Sequence, residues 1–481
     1  MQIKVFLTSK IPKKITAYNF KAKYGSCFLL DKELYIGTKL KSIKTVDPYY
    51  KVDYFLLGAK IGNSLKNYDI ATVDISSSEK KLNQKEVLDL KLGILQSYWK
   101  FDKYQVKKIK ELPKITISKD IAESIEDENK LKSLNLALNS ARFLVEETPQ
   151  NLHPDTIGEI IKKELREYKN LEIKTYDEKW LEENCFECVL AVGKGSPHKP
   201  KLIHTKISIP STKNLKIALV GKGLTYDTGG LDIKVGGFMK TMKTDMGGSA
   251  TMFGVIKTLA EMYKNENGKS DNYLEIHWFS AFCENAVSGD SYKSDDILTS
   301  FSGQTVEIFN TDAEGRLTLA DVLSYATTFN PDYIVDAATL TGACVYSNSD
   351  YYTGMMGNDE KLIKDLNNAF LTNNERVVNN HFPEILRQYV AGTNSDLMNT
   401  STLSQAGHIT AGLFLSHFID QSNFRPEVLE KLKITKPKTY SWVHLDIAGS
   451  AYNKKHNSLD FEGATGHGVR SLVDWILNLT S

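Results

Sequence analysis

Short apolar runs alternate with glycine-rich loops and helical patterns from residue 150 onward. The run at 217–220 is continuously apolar, which is typical of a strand that is buried on both faces of a sheet. Gly221-Lys222-Gly223 follows this run, and Met246-Gly247-Gly248 opens a helical pattern that extends to about Tyr263. This order of strands, loops and helices predicts an α/β fold. Further strands are predicted at 274–279, 305–309, 333–336 and 441–445.

The first 125 residues carry shorter patterns of the same kind. Strands are predicted at 3–7, 27–30, 54–57 and 70–75, and a helix near 83–104. Another helical pattern, over about 129–147, ends before Pro149, because a proline disfavours helix in the residue that precedes it. We therefore predict a small N-terminal α/β domain with this connecting helix at 1–149. A larger C-terminal α/β domain, with a central mixed sheet flanked by helices, is predicted at 150–481.

Composition places the 481-residue chain among globular proteins, with 41% hydrophobic and 25% charged residues. Its apolar runs are far shorter than the roughly 18 residues that a membrane span requires. The N-terminal segment MQIKVFLTSKIPKK does not resemble a secretory signal. Five cysteines, an odd number, argue against a disulfide framework and for a reducing compartment. We expect a cytoplasmic protein with no membrane partner.

Charge is distributed unevenly along the chain. Residues 1–120 hold 24 lysines, no arginine and 12 acidic residues, although the net charge of the whole chain is only +1. A basic segment of this kind is an indication of an anionic partner such as nucleic acid. The alternative is a solvated lysine-rich surface, since no basic run is interleaved with the aromatic residues that a nucleic-acid groove uses. DNA binding through the N-terminal domain therefore stands as a second hypothesis.

Carboxylates and lysines concentrate among glycines in segments that follow predicted strands, where open α/β sheets bind ligands. The carboxylates are Asp227, Asp245, Asp312 and Glu314. Brought close together they would repel one another and could not all ionise without a cation. Two divalent ions roughly 3.5–4 Å apart, bridged by carboxylates, would satisfy this requirement and form a known hydrolytic device. The alternative, that each is an ordinary helix-capping acid, suits any one residue but not all four together.

The carboxylate oxygens of these four residues would accept several different metal ions. An oxygen-rich site leaves Zn²⁺, Mn²⁺ and Mg²⁺ open. The HExxH motif is absent from the sequence, and none of the ten histidines stands in a metal-ligand spacing with another.

The motifs in and around these segments resemble those of the leucyl aminopeptidase family (cytosol aminopeptidases, peptidase family M17). The resemblance covers roughly residues 135–481, and the motifs agree in order and spacing. The N-terminal domain is variable in that family, so it does not test the match. The matching segments are GKGLTYDTGG (221–230), TDMGG (244–248), EN (284–285), DILTSFSGQTVEIFNTDAEGRLTLADVLSYA (296–326), PDYIVDAATLTGAC (331–344), HLDIAGSAY (444–452) and ATGHGVRSLV (464–473).

The resemblance implies a metal-dependent aminopeptidase that releases N-terminal residues, leucine and other mainly apolar ones, from peptides through a metal-bridging water. It implies two divalent ions per subunit. Lys222, Asp227, Asp245 and Glu314 would hold the tighter ion, whereas Asp227, Asp312 and Glu314 would hold the more exchangeable one. A lysine ligand must be neutral, and a neighbouring dication would lower its pKa sufficiently.

Two further residues would act in catalysis on the same resemblance. Lys234 would remain a cation and would polarise the scissile carbonyl or stabilise the gem-diolate. Arg316 would hold a bicarbonate ion that serves as general base, because a planar guanidinium binds a carboxylate-shaped anion through two hydrogen bonds.

The resemblance also implies how substrate binds and how subunits assemble. The free α-amine of the peptide would contact Asp245 and the tighter ion, which restricts cleavage to the amino end. Ala451 stands where some relatives carry methionine, so the pocket floor would be wider. A homohexamer is typical of the family, and some bacterial relatives also bind DNA. The side-chain pocket would be lined by Met242, Thr339, Leu340, Gly342, Ala448 and Ala451.

A few local features depart from the family pattern or invite another interpretation. Asp232 and Val235 flank Lys234 where a small polar residue and a proline are more usual. Cys185 and Cys188 are interpreted as ordinary cysteines before a strand at 189–192, and His444 as a structural hydrogen-bonding residue.

Overall fold

The computed structural model describes residues 1–18, 20–42, 45–78, 80–106, 112–122, 127–265, 270–453 and 462–480. The chain divides into two compact units. The smaller comprises residues 1–139 and 453–463, and the larger comprises residues 140–452 and 464–481. The division falls within the helix Glu128–Glu146, which occupies the position of the predicted connecting helix.

The smaller unit combines a sheet with a pair of helices. Its elements are β1 (Gln2–Thr8), β2 (Cys27–Leu30), β3 (Glu33–Gly37), α1 (Tyr54–Leu65), β4 (Thr72–Ser78), α2 (Gln84–Tyr98), β5 (Lys114–Ile117) and the first part of α3 (Glu128–Glu146). The strand order is β2-β3-β1-β4-β5, with β2 antiparallel and the other pairs parallel. Helices α1 and α2 approach closely, since a Cβ at Gly58 would lie 2.1 Å from the carbonyl oxygen of Leu90. The predicted α/β character is confirmed.

One strand prediction in this unit is wrong. Residues 54–57 begin helix α1, not a strand, and the Asp53 carboxylate caps the helix by accepting a hydrogen bond from the backbone N–H of Leu56. The apolar positions Leu57, Ile61 and Leu65 follow at helical spacing and are buried. A four-residue apolar run does not distinguish the two structures by itself.

The larger unit is built around a long mixed sheet. Its strands are β6 (Leu171–Tyr176), β7 (Lys201–Ser211), β8 (Leu215–Gly221), β9 (Gly223–Asp227), β10 (Asn272–Asn285), β11 (Ile297–Thr299), β12 (Thr305–Glu307), β13 (Tyr333–Ala338), β14 (Thr353–Gly357), β15 (Val377–Asn379), β16 (Leu397–Met398) and β17 (Ser441–Asp446). The short strands β18 (Tyr452–Asn453) and β19 (Gly463–Ala464) stand where the chain passes from one unit to the other. The order in the long sheet is β15-β14-β17-β13-β8-β10-β7-β6, and β9 pairs with β10. Parallel pairs at its centre give way to antiparallel pairs at β10–β7 and β14–β17, which confirms the predicted mixed sheet.

Helices flank this sheet as predicted. They are α4 (Pro154–Leu165), α5 (Glu178–Glu183), α6 (Glu187–Gly193), α7 (Gly247–Met262), α8 (Glu314–Thr327), α9 (Gly342–Asn348), α10 (Glu360–Thr372), α11 (Gly407–Ser416), α12 (Pro426–Lys431) and α13 (Val469–Leu479). Ala218 and Val220 of β8 share a hydrophobic core with α6 and α8, whereas Ile217 and Leu219 alternate with them and are equally buried. Among the described helices, none combines the length and apolarity needed to cross a membrane.

Two predicted strands of this unit differ from the structure. Residues 189–192 lie in helix α6, not in a strand, and the Asp321 carboxylate accepts a hydrogen bond from the backbone N–H of Val189. This helix is buried almost all round, so its apolar run resembles that of a buried strand. The strand predicted at 305–309 exists as β12 but belongs to a small sheet with β11 and β16, outside the long one.

Candidate metal centre

Four carboxylates meet beside the carboxyl end of β9, the strand that pairs with β10 of the long sheet. Asp227 is the last residue of β9, and Glu314 is the first residue of α8. Asp312 lies in the loop that precedes α8, and Asp245 follows a short 3-10 turn, Met242–Thr244. One oxygen each from Asp227, Asp312 and Glu314 lie within 4.8 Å of one another. The predicted ligands therefore converge, although they come from separate elements.

Lys222 stands between β8 and β9 and faces the carboxylates. Its Nζ lies 2.8 Å from Asp245 Oδ2 and 3.0 Å from Glu314 Oε1, and it donates a hydrogen bond to the carbonyl oxygen of Thr339. The side chain passes directly over Gly315, where a Cβ would lie 2.4 Å from Lys222 Cε. Glycine at 315 thus allows the lysine to reach the centre.

Lys234 approaches the same group from a loop rich in glycine. Its Nζ lies 2.7 Å from Asp227 Oδ2 and also contacts Asp312 Oδ1. Gly229 and Gly230, which precede it, have φ angles of 89° and 68°, in the left-handed region that glycine adopts readily. The two lysines accordingly bracket the four carboxylates.

Burial and mutual repulsion shift the ionisation of these groups. Burial raises the pKa of Glu314, and the neighbouring Asp227 carboxylate adds to that shift. Burial likewise raises the pKa of Asp245 and of Asp312. Burial alone would lower the pKa of Lys222, but Asp245 and Glu314 more than offset it, so that its pKa is raised. Two lysines do not fully compensate four carboxylates, so the centre favours additional cations.

The donor set fits divalent metal ions. Glu314 Oε2 is buried and has no hydrogen-bond partner, so it is available to a cation. Carboxylate oxygens from four residues are hard donors that suit Mn²⁺, Mg²⁺ or Zn²⁺. Lys222 could join them as a neutral amine once a dication replaced its proton.

Arg316 lies two residues beyond Glu314 and fits an anion. Its guanidinium is buried, and its Nε has no hydrogen-bond partner. Burial lowers the pKa of Arg316 to about 10, and the side chain still remains a cation at neutral pH. A buried, incompletely paired guanidinium is the kind of group that holds a small planar anion.

Most residues of the predicted side-chain pocket follow two adjacent strands, β13 and β17. Thr339 donates a hydrogen bond from Oγ1 to Asp245 Oδ1 at 2.8 Å. Thr339 and Ala451 both approach Gly247, at 3.2 and 3.3 Å from the position of a Cβ there. Leu340 and Ala448 lie in the loops after β13 and β17, Gly342 begins α9, and Met242 lies in the turn before Asp245.

Asp446 is a residue of this region that the sequence reasoning missed. It is fully buried, and its Oδ1 accepts hydrogen bonds from the backbone N–H of both Leu340 and Ala448, at 3.2 Å each. Its Oδ2 accepts a hydrogen bond from Thr341 Oγ1. Asp446 therefore ties together the two loops that carry the predicted pocket. Its position at the end of a predicted strand was the available signal.

Asn285 and Asp232 hold the segments around Asp227 and Asp312 in place through hydrogen bonds. The sequence did not indicate this role for either residue. Asn285 Nδ2 donates hydrogen bonds to Asp227 Oδ1 at 2.9 Å and to the carbonyl oxygen of Thr311 at 3.0 Å. Asp232 Oδ2 accepts a hydrogen bond from the backbone N–H of Thr311 at 2.7 Å, and Thr311 Oγ1 donates to the carbonyl oxygen of Gly229. These contacts join the loop of Lys234 to the loop of Asp312.

We expect Asp232→Ala to weaken metal binding at the Asp312 side of the centre about tenfold, the lower end of the effect of losing a partner that orients a ligand. The side chain of Asp232 is exposed, which limits the effect. The measurement is the Mn²⁺ concentration that half-saturates the protein, with Asp290→Ala, another exposed aspartate, as the control. An unchanged Mn²⁺ requirement in Asp232→Ala would contradict this role.

Comparison with known proteins identifies the family. The model of the cytosol aminopeptidase family, catalytic domain, matches residues 139–473. A relative from Campylobacter jejuni, named "Probable cytosol aminopeptidase", is 35% identical over 97% of this chain and 98% of its own. Relatives of the same name from Persephonella marina and Aquifex aeolicus are 39% and 37% identical, over 80% and 81% of this chain and 73% and 74% of theirs. The chain therefore belongs to the cytosol aminopeptidase family, and it is a hydrolase of the leucyl aminopeptidase type.

Proposed function

We propose that the protein removes N-terminal residues, leucine and other mainly apolar ones, from peptides in the cytoplasm at a two-metal centre. The observation that carries the proposal is the convergence of the exposed Asp312 with the buried Asp227, Glu314, Lys222 and Asp245. Lys222, Asp227, Asp245 and Glu314 would hold the tighter ion, and Asp227, Asp312 and Glu314 the more exchangeable one. When bound, the two ions supply Lewis acidity and an activated water nucleophile.

Side chains of the protein would bind the substrate, stabilise the developing charge and hold the general base. Asp245 would bind the α-amine of the peptide, and Thr339, which donates a hydrogen bond to it, would keep its carboxylate in place. Lys234 would turn from Asp227 and Asp312 towards the scissile carbonyl and stabilise the negative charge that develops on its oxygen. Arg316 would hold bicarbonate, the general base that accepts the proton of the attacking water.

The substrate side chain would enter the pocket formed by Met242, Thr339, Leu340, Gly342, Ala448 and Ala451. The lining is apolar or small, with no charged side chain among these six residues. It favours apolar side chains, and alanine at 451 leaves room for ones larger than leucine. A difference of one methylene contributes only about 1–3 kcal/mol, so the pocket sets a preference.

Hydrolysis of leucine amide after chelation tests this function. We expect activity to disappear on chelation and to return with Mn²⁺, Zn²⁺ or Mg²⁺. Asp312→Ala removes a proposed ligand, so it should lower the rate by more than the roughly 10–100-fold that follows loss of a partner behind a ligand. Glu427→Ala, on the exposed side of α12, is the matched control. A folded protein that stays inactive with every metal would refute the proposal.

Assembly and a second activity are separate proposals. A homohexamer is proposed because it is typical of the family, and light scattering would test it. DNA binding rests on the lysine excess of residues 1–120 alone. If it occurs, affinity should fall steeply with salt concentration, because it depends on releasing counterions from phosphates.

A further inference from the structure

A second cluster of potential metal ligands lies in the larger unit, apart from the carboxylate centre. It consists of His153, Asp155 and His198, which each offer an atom within 4.8 Å of the others. His198 Nδ1 lies 2.7 Å from Asp155 Oδ2, and His153 Nδ1 lies 3.8 Å from the same oxygen. The chain therefore places two imidazole nitrogens around one carboxylate oxygen. The sequence did not indicate this group, because 45 positions separate His153 from His198.

The backbone of His153 caps helix α4, but its imidazole is incompletely hydrogen-bonded. Its Nδ1 is buried and has no hydrogen-bond partner, and only 13% of the side chain is exposed. Leaving a buried polar atom unsatisfied costs about 1–3 kcal/mol. The ring stacks nearly parallel to that of His198, with centroids 3.7 Å apart and 20° between the planes, so the stack must open before both rings can direct a nitrogen lone pair at one ion. An ion bound at this nitrogen would remove the penalty.

Asp155 is already oriented for a role as ligand. Lys201 Nζ lies 3.4 Å from its Oδ1, while Oδ2 is the oxygen that faces the two histidines. A partner on the second oxygen of a ligating carboxylate is common in metal sites, because it fixes the direction of the first. Asp155 is exposed, so water can reach the remaining coordination positions.

We propose that His153, Asp155 and His198 bind a divalent transition metal ion of the Zn²⁺ type, separate from the catalytic ions. Two imidazole nitrogens and one carboxylate oxygen suit Zn²⁺, Co²⁺, Ni²⁺ or Cu²⁺ better than Mg²⁺ or Ca²⁺. Ligand bonds of about 2.0–2.1 Å in a tetrahedron set ligand atoms about 3.3 Å apart. The separations of 2.7 and 3.8 Å from Asp155 Oδ2 each differ from this by about half an ångström, and turning the imidazoles out of their stack would bring both nitrogens to the ion.

The proposed site and the catalytic centre contact adjacent residues of β10. Glu284 accepts a hydrogen bond from Ser196 Oγ, which in turn accepts one from the backbone N–H of His198. The next residue, Asn285, donates to Asp227 of the catalytic centre. The two groups share no ligand and differ in donor chemistry. Occupancy of one can therefore be measured without removing the other.

Zinc content of the full-length protein tests the proposal. After equilibration with Zn²⁺ and removal of unbound metal, we expect His153→Gln and His198→Gln each to contain one Zn²⁺ fewer per chain than the unsubstituted protein. His381→Gln, at an exposed histidine elsewhere, should retain the full content. Anomalous diffraction from Zn²⁺-soaked crystals should place an ion between the three side chains.

The outcomes are distinct. Equal zinc content in the unsubstituted protein and both variants, or anomalous density confined to the carboxylate centre, would overturn the proposal. Thermal unfolding of each variant in the presence of Mn²⁺ shows whether the protein remains folded, and leucine amide hydrolysis reports separately on the catalytic centre. A failure of the aminopeptidase proposal would leave the zinc count unaffected.

Discussion

Replacing Lys222 with methionine is expected to destabilise the metal-free protein by about 3–5 kcal/mol, the usual effect of leaving buried charge without its partner. The Nζ of Lys222 is the cation that lies between Asp245 and Glu314, and all three side chains are less than a tenth exposed. Methionine fills a similar volume but leaves these carboxylates without their cation. Divalent ions would supply the missing charge, so the deficit should shrink when metal is added.

Urea unfolding with chelator and with Mn²⁺ measures this effect. Because divalent ions would replace the missing positive charge, Mn²⁺ should increase the free energy of unfolding of Lys222→Met more than that of the unsubstituted protein. The control is Lys216→Met, because Lys216 Nζ lies 3.2 Å from Glu275 Oε1 at a partly exposed position. Such a pair contributes about 1 kcal/mol at most. Equal stability of Lys222→Met and the unsubstituted protein under chelation would show that the buried lysine does not balance the centre.

A substitution at Lys234 should instead act on the rate. Lys234→Met is expected to lower kcat for leucine amide by about 10²–10³, the range measured when one group that stabilises a developing oxyanion is removed. Metal affinity should hold or increase, because the substitution removes a cation whose Nζ lies 2.7 Å from the Asp227 carboxylate. A fall in kcat without a loss of metal distinguishes a catalytic lysine from a structural one.

Steady-state kinetics at saturating Mn²⁺, together with Mn²⁺ titration, measures both quantities. Lys240→Met is the matched control, since Lys240 is an exposed lysine in the same glycine-rich segment. If Lys234→Met lost metal and rate together, its role would be to organise the carboxylates. If the rate were unchanged, the proposed contact with the carbonyl would be wrong.

The signals that led to the proposed metal centre are local in the sequence. Asp227, Asp312 and Glu314 stand among glycines after predicted strands, where α/β proteins commonly bind ligands. The strand before Asp312 nevertheless belongs to the small sheet, so the sequence did not predict how this loop reaches Asp227. The strand at 217–220 was equally clear, since an apolar run between glycine-rich loops has few other interpretations.

Short apolar runs and contacts between distant residues set the limit of such prediction. Strands were predicted at 54–57 and 189–192, but both segments form helices. The prediction failed because a run of four apolar residues is compatible with the periodicity of a strand and with that of a helix. The bonds from Asp446 to Leu340 and Ala448 depend on two strands lying side by side, which no spacing in the sequence specifies. The contact between His153 and His198 is likewise one that no spacing in the sequence specifies.

The carboxylates of the metal centre come from parts of the chain that lie far apart, from Asp227 at the end of β9 to Glu314 at the start of α8. No local stretch of the unfolded chain can reproduce this arrangement, and bringing distant segments together is slow because loop closure must come first. Metal should therefore bind only after the central strands have paired. In a stopped-flow refolding experiment, the amount of Mn²⁺ bound should then follow the fraction of folded molecules, and added Mn²⁺ should leave the folding rate unchanged.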